Sequence, residues 1–137
     1  MKAVIDTNVL VAGLLNPSGS PARVLDLVAL GDLIPVFDDR ILAEYRSVLP
    51  RPRFALQAAE IEAAMNLLEA AGQNITAPPL ALKLPDPDDA PFIEVAVAAS
   101  CDFLITGNLK HFPAKALGPA AKRIHVIGPG EFIAQQT

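Results

Sequence analysis

The chain has 137 residues, 52% of them hydrophobic, with a formal net charge of -4 and a pI near 5.0. Length and apolar content suffice for one substantial core and exclude a disordered chain, while the acidity excludes a protein that grips nucleic acid by overall charge alone. No apolar stretch approaches the ~20 residues of a membrane span, no signal-peptide pattern opens the chain, and the lone Cys101 precludes an internal disulfide, so a cytoplasmic setting is expected.

Lys2-Ala3-Val4-Ile5 reads as a short buried strand that stops on Asp6-Thr7-Asn8. Ligands of open α/β sheets sit beyond the carboxyl ends of the strands. Asp6 therefore reads two ways, as a functional carboxylate or as a cap for the helix that follows over Val9 to Leu15. Asn16-Pro17-Ser18-Gly19 ends that helix. Ser20 caps the next, with Pro21 at its first position and Gly31 as its stop. Ile34 to Phe37 is a second strand, and Pro35 argues for an edge or entry position. Asp38-Asp39 opens a helix ending before Pro50, with Ile41, Leu42, Tyr45, Val48 and Leu49 at helical spacing. Pro50-Arg51-Pro52-Arg53 breaks it. A long Ala- and Leu-rich helix runs from about Leu56 to Ala71, stopped by Gly72.

Ile75 to Leu84 is interrupted by Pro78-Pro79, with a brief strand before or after it. The acidic turn Pro85-Asp86-Pro87-Asp88-Asp89 leads into an almost wholly apolar helix over Pro91 to Ser100. Phe103 to Thr106 is a buried strand ended by Gly107-Asn108. Ile124 to Ile127 is another, closed by Gly128-Pro129-Gly130, and a short helix over Glu131 to Gln135 finishes the chain. Strands separated by helices imply parallel pairing through right-handed crossovers. The expected fold is a three-layer α/β/α sandwich around a mainly parallel sheet of four to five strands, with residues 1–137 as a single domain.

Three acids stand out on that framework. Asp6 ends the first strand, Glu44 borders the core-facing stripe of its helix, and Asp89 sits at the mouth of the apolar helix. Each has a plain structural alternative: Glu44 paired with Arg40, and Asp86, Asp88 and Asp89 capping a helix. Crowded carboxylates repel unless a cation lies between them, and a hard ion such as Mg²⁺ suits a few carboxylates plus waters. Thr106 and Asn108 add polar groups at the same sheet edge.

With these residues in place the chain resembles a PIN-domain ribonuclease, of the kind that is the toxin of type II toxin–antitoxin systems. Four segments carry the resemblance, in order along nearly the whole chain: Val4 to Leu10, Ile41 to Tyr45, Asp86 to Phe92 and Phe103 to Phe112. The resemblance implies metal-dependent RNA hydrolysis with Mg²⁺ or Mn²⁺ as cofactor. It also implies Asp6, Glu44 and Asp89 as catalytic and metal-binding acids, with Thr7, Asn8, Asp86, Thr106 and Asn108 as support. Asn108 stands where the family often has a fourth acid. A haloacid-dehalogenase-like phosphatase needs a second acid where Asn8 stands.

RNA contact is expected from Arg46, Arg51, Arg53, Lys110 and His111, as a basic rim around an acidic pocket. Without Trp and with one Tyr, a base-stacking platform is not expected. His125, within the last strand, reads as packed or at an edge. Ala58, Ala59, Ala63, Ala64 and Ala70 would allow close packing between copies of the long helix, so a homodimer is expected, beside RNA and a small antitoxin as partners. The competing class is a PIN-fold binding or assembly module with weak or no catalysis.

Overall fold

The computed structural model describes residues 1–136. Five strands form one parallel sheet: β1 (Lys2–Ile5), β2 (Ile34–Phe37), β3 (Gln73–Asn74), β4 (Phe103–Ile105) and β5 (His125–Ile127), in the order β3-β2-β1-β4-β5. The helices are α1 (Thr7–Leu15), α2 (Ser20–Ala29), α3 (Asp39–Val48), α4 (Ala58–Ala71), α5 (Ala90–Ala98), α6 (Ala114–Leu117) and α7 (Pro129–Gln135). α2 packs against α1, α4 and α7, while α5 lies on β1, β2 and β4. Right-handed crossovers put these two groups on opposite faces, which makes the expected three-layer α/β/α sandwich. β1 and β4 are neighbours in register, Ala3 opposite Phe103 and Ile5 opposite Ile105, although a hundred residues separate them. The strand order reverses between them, and ligands bind at such a switch point.

The central strands are apolar throughout because both faces are covered. Val4, Ile5, Val36, Leu104, Ile105 and Ile127 are buried in one cluster with Leu10, Val24, Phe92, Ile93 and Phe132 from the helices. Each such side chain contributes about 1.5–3 kcal/mol by leaving water.

Several expectations need correction. β2 is an interior strand, so the edge alternative for Pro35 fails, while the entry alternative holds because Pro35 is its second residue. The Ile34 amide donates to the Met1 carbonyl, so the nitrogen of Pro35 faces the β3 side, where pairing starts only at Val36. No ladder bond is lost. The brief strand near Ile75 lies before it, at Gln73–Asn74, and α4 passes directly into it through Gly72. A Cβ on Gly72 would fall 2.5 Å from the Pro35 carbonyl oxygen, so only glycine permits that approach. The Ala114–Leu117 helix and the 3-10 turn Gly118–Lys122 fall where no element was expected, since both are short and broken by Pro113 and Gly118-Pro119. The last helix starts at Pro129, which occupies its first turn, and not at Glu131.

Candidate active site

Asp6 leaves the end of β1 with its amide donating to the Ile105 carbonyl, at 2.9 Å. Its side chain is 5% exposed. One carboxylate oxygen, Oδ2, accepts from the Thr106 hydroxyl at 2.8 Å and from the Asn8 amide at 3.2 Å. Asn8 in turn accepts from the Gly107 amide at 2.9 Å, and the Thr106 hydroxyl accepts from the Asn108 amide at 3.0 Å. The ends of β1 and β4 are thus stitched around one carboxylate. Asp6 occupies the cap position of α1 but makes no side-chain cap bond. Its carboxylate is held mainly by Thr106 and Asn8, so it serves the cleft more than a capping bond.

Glu44 is half-buried on α3 and accepts a short bond from the Thr7 hydroxyl. It does not pair with Arg40, which bridges Asp38 and Glu94 at 2.7 Å each. Asp89 ends the 3-10 turn Pro87–Asp89 in front of α5 and is 8% exposed. Asp86 caps that turn by accepting from the Asp88 amide at 2.9 Å. Asp86 and Asp88 are both exposed. The Oδ2 atom of Asp89 is buried without a hydrogen bond. His111 Nδ1 approaches it to 3.0 Å, a contact whose character depends on which ring nitrogen carries the proton. The other ring nitrogen of His111 lies 2.9 Å from the Asn108 side-chain amide.

Burial pushes all three acids above the ordinary carboxylate range. For Asp6 the Thr106 hydroxyl opposes that rise. For Glu44 burial leads, Thr7 opposes it, and the charges of Asp6, Asp86 and Asp88 add to it. Asp89 is raised to about 6, by burial first and then by Asp6, with His111 pulling it back.

The three acids, Thr7, Asn8 and His111 line a cleft of about 430 Å³ whose other wall contains Arg51, Arg53 and Phe54. Thr106 and Asn108 support it from behind. Arg46 lies outside the lining and pairs with Glu69 at 2.9 Å, and Lys110 is exposed outside the lining as well. His125 is on β5, its ring 5.4 Å from that of Phe103. A larger cleft of about 640 Å³, lined by Ser100, Asp102, Lys122 and Arg123, opens at the amino ends of β4 and β5, where no acids converge. Two contributors escaped sequence reading. Phe54 follows a Pro-Arg-Pro-Arg run that read as a helix breaker carrying two candidate RNA-contacting arginines, and the ring itself drew no expectation. Glu94, a lone acid on an apolar helix, is 4% exposed and anchors Leu80 through its amide at 2.8 Å.

The PIN domain sequence profile matches residues 2–110 of the chain. The chain belongs to the PIN-domain family. A stretch of 55 residues is also 36% identical to an uncharacterized protein of Methanocaldococcus jannaschii, covering 39% of this chain and 36% of that protein. The PIN domain is a nuclease-type fold, and PIN-domain nucleases in general use divalent metal ions. The residues here fit such an ion in a particular way. Among the described residues no three His, Cys, Asp or Glu side chains are set to hold one ion directly. An orphaned Asp89 oxygen, with Asp6 and Glu44 across the cleft, fits an ion bound through one or two carboxylates and several waters, as Mg²⁺ is.

Proposed function

We propose that this PIN-domain protein is a metal-dependent endoribonuclease that hydrolyses RNA phosphodiester bonds in the cytoplasm, with residues 1–137 as a single domain. The supporting observation is the buried Asp89 oxygen without a hydrogen bond, facing a cleft in which two other carboxylates are also raised by burial. Such a cluster is costly as it stands, and a cation offsets that cost.

Asp6 and Asp89 hold Mg²⁺ or Mn²⁺, with Glu44 as the third acid. When bound, the ion neutralises charge on the phosphoryl oxygens and makes water a better nucleophile at neutral pH. Thr106 and Asn8 fix the Asp6 carboxylate in one orientation, so little reorganisation is needed when substrate arrives. Glu44, steadied by Thr7, accepts the proton that the attacking water loses. Asn108 adds no charge; it orients His111, which steadies Asp89. Arg51 and Arg53 offer the phosphate chain positive charge at the rim, offsetting the acidity of the whole protein, and His111 offers it a polar contact.

The resemblance of the four motif segments supports a toxin role with a small antitoxin as partner. The exposed Ala58, Ala59, Ala63 and Ala70 of α4 support a homodimer. The decisive test of the nuclease reading is cleavage of single-stranded RNA in Mg²⁺ or Mn²⁺ by wild type and Asp6→Asn. Asp6→Asn should keep its circular dichroism and lose at least about 100-fold in rate. Undiminished cutting in excess chelator would overturn metal dependence.

A further inference from the structure

The candidate cleft is polar on one side only. Its other wall is built from Val11 and Leu15 of α1, Val48 at the end of α3, and Phe54. Leu15 is half-exposed there, at 50%. Binding a cation and a phosphate needs no such wall. The Arg53 guanidinium lies over the Phe54 ring, 4.8 Å from its centroid. Arg51 and Arg53 line the same wall. Among the described residues they form no ion pair, whereas Arg40 and Arg46 do. Pro50 and Pro52 flank them and restrict the backbone, and the 3-10 turn Pro52–Phe54 presents the pair from a short, stiff segment. Its ordering cost on binding is therefore small.

We propose that this wall seats one unpaired nucleobase of the RNA strand, beside the phosphate held at the acids, with Arg53 on Phe54 as its stacking surface. The proposal rests on the ribonuclease reading and deepens it, because it assigns residues that select the substrate. A nucleotide joins an anionic phosphate to a flat, weakly polar ring, and the cleft offers an acid-and-cation side, two free guanidinium groups and an apolar side. Unstacked bases are commonly held against aromatic rings or guanidinium planes. A volume of about 430 Å³ falls within the range of small-ligand sites, about 300–1,000 Å³. An apolar segment of a protein partner would cover Leu15 and Phe54 but leave both arginines without a counter-charge. A duplex keeps its base faces stacked and cannot reach the wall. The scarcity of aromatic residues is therefore no bar: one Phe, planked by an arginine, makes a seat for one base.

The test uses short oligoribonucleotides carrying a single abasic position, moved stepwise past the mapped cut. Binding is read by fluorescence anisotropy with Ca²⁺ in place of Mg²⁺, and kcat and KM are measured in Mg²⁺. Against wild type, one abasic position should weaken binding about tenfold and the others should not. Phe54→Ala and Arg53→Lys should bind the intact strand about tenfold more weakly and be indifferent to that abasic position. Phe54→Leu, which keeps the apolar volume, should behave like Phe54→Ala if stacking is the cause. A flat abasic scan overturns the proposal, as does duplex RNA binding as tightly as single strands. Cleavage with a flat scan removes the base seat and leaves the nuclease. Position-specific binding without cleavage does the reverse.

Discussion

Thr106 shows how much one hydroxyl contributes to this site. It is fully buried, donates to Asp6 and accepts from Asn108, so Thr106→Val keeps the shape and removes a donor from a buried carboxylate. Such a loss costs about 1–3 kcal/mol. In urea unfolding without metal the cost should appear near neutral pH and shrink as acid protonates Asp6; a cost that does not fall with pH would show that the bond to the carboxylate is not its cause. Asp89 gives a second pH dependence. Its folded pKa of about 6 exceeds the ordinary 3.8, so between those values the native state holds more protons than the unfolded chain. Its contribution to stability is then fully present below the ordinary pKa and is lost as pH rises through about 6. In chelator, the urea midpoint of the wild type should carry that fall between about pH 4 and about pH 7, and Asp89→Asn should remove that share of it. At this level the acids were legible in the sequence, because strand ends and helix mouths announce themselves. Their partners were less so: the Asp89–His111 contact and the burial of Asp89 Oδ2 depend on tertiary placement that local patterns do not encode.

Helix α5 illustrates how a site is aimed by residues that never reach it. Asp89 stands at its mouth, and Glu94, one turn further, is gripped by Arg40 and by the Leu80 amide. The same Arg40 holds Asp38, whose other oxygen caps α3 at the Ile41 amide. One clasp therefore joins the helix of Glu44, the helix behind Asp89 and the irregular segment before the acidic turn. Glu94→Ala leaves the Leu80 amide without an acceptor and takes one of two carboxylate partners from Arg40, which keeps Asp38, and should cost about 2 kcal/mol. Limited proteolysis should then cut within residues 75–89; a variant as resistant as wild type would assign the clasp no such role. Most elements were readable from apolar runs and from Pro and Gly punctuation. β3, with two residues, was expected only as a brief strand on one side or the other of residues 75–84, and α6, with four, was not expected at all, because there is too little chain for a period to show. Pro35 misled because its missing donor matters only where a neighbouring strand reaches it.

The whole molecule balances an acidic surface with a local basic rim, and its long helix leaves a stripe of small residues outside the core. If α4 pairs two copies, light scattering at micromolar concentration should give the dimer mass, and Ala63→Arg should return the monomer; a wild-type monomer would refute the pairing. The sandwich and its parallel sheet were legible because the strand–helix alternation leaves few topologies open. The strand order was not, since nothing local tells β4 to settle beside β1. That adjacency has a consequence for the timing of activity. Asp6 leaves the ribosome a hundred residues ahead of its hydroxyl partner and of the strand that flanks it. Until Thr106 has emerged, the pocket lacks a wall and its first carboxylate lacks its donor. A site assembled in this order stays incomplete until β4 has emerged, and under the ribonuclease reading proposed above the messenger being read is spared by the folding order of its product.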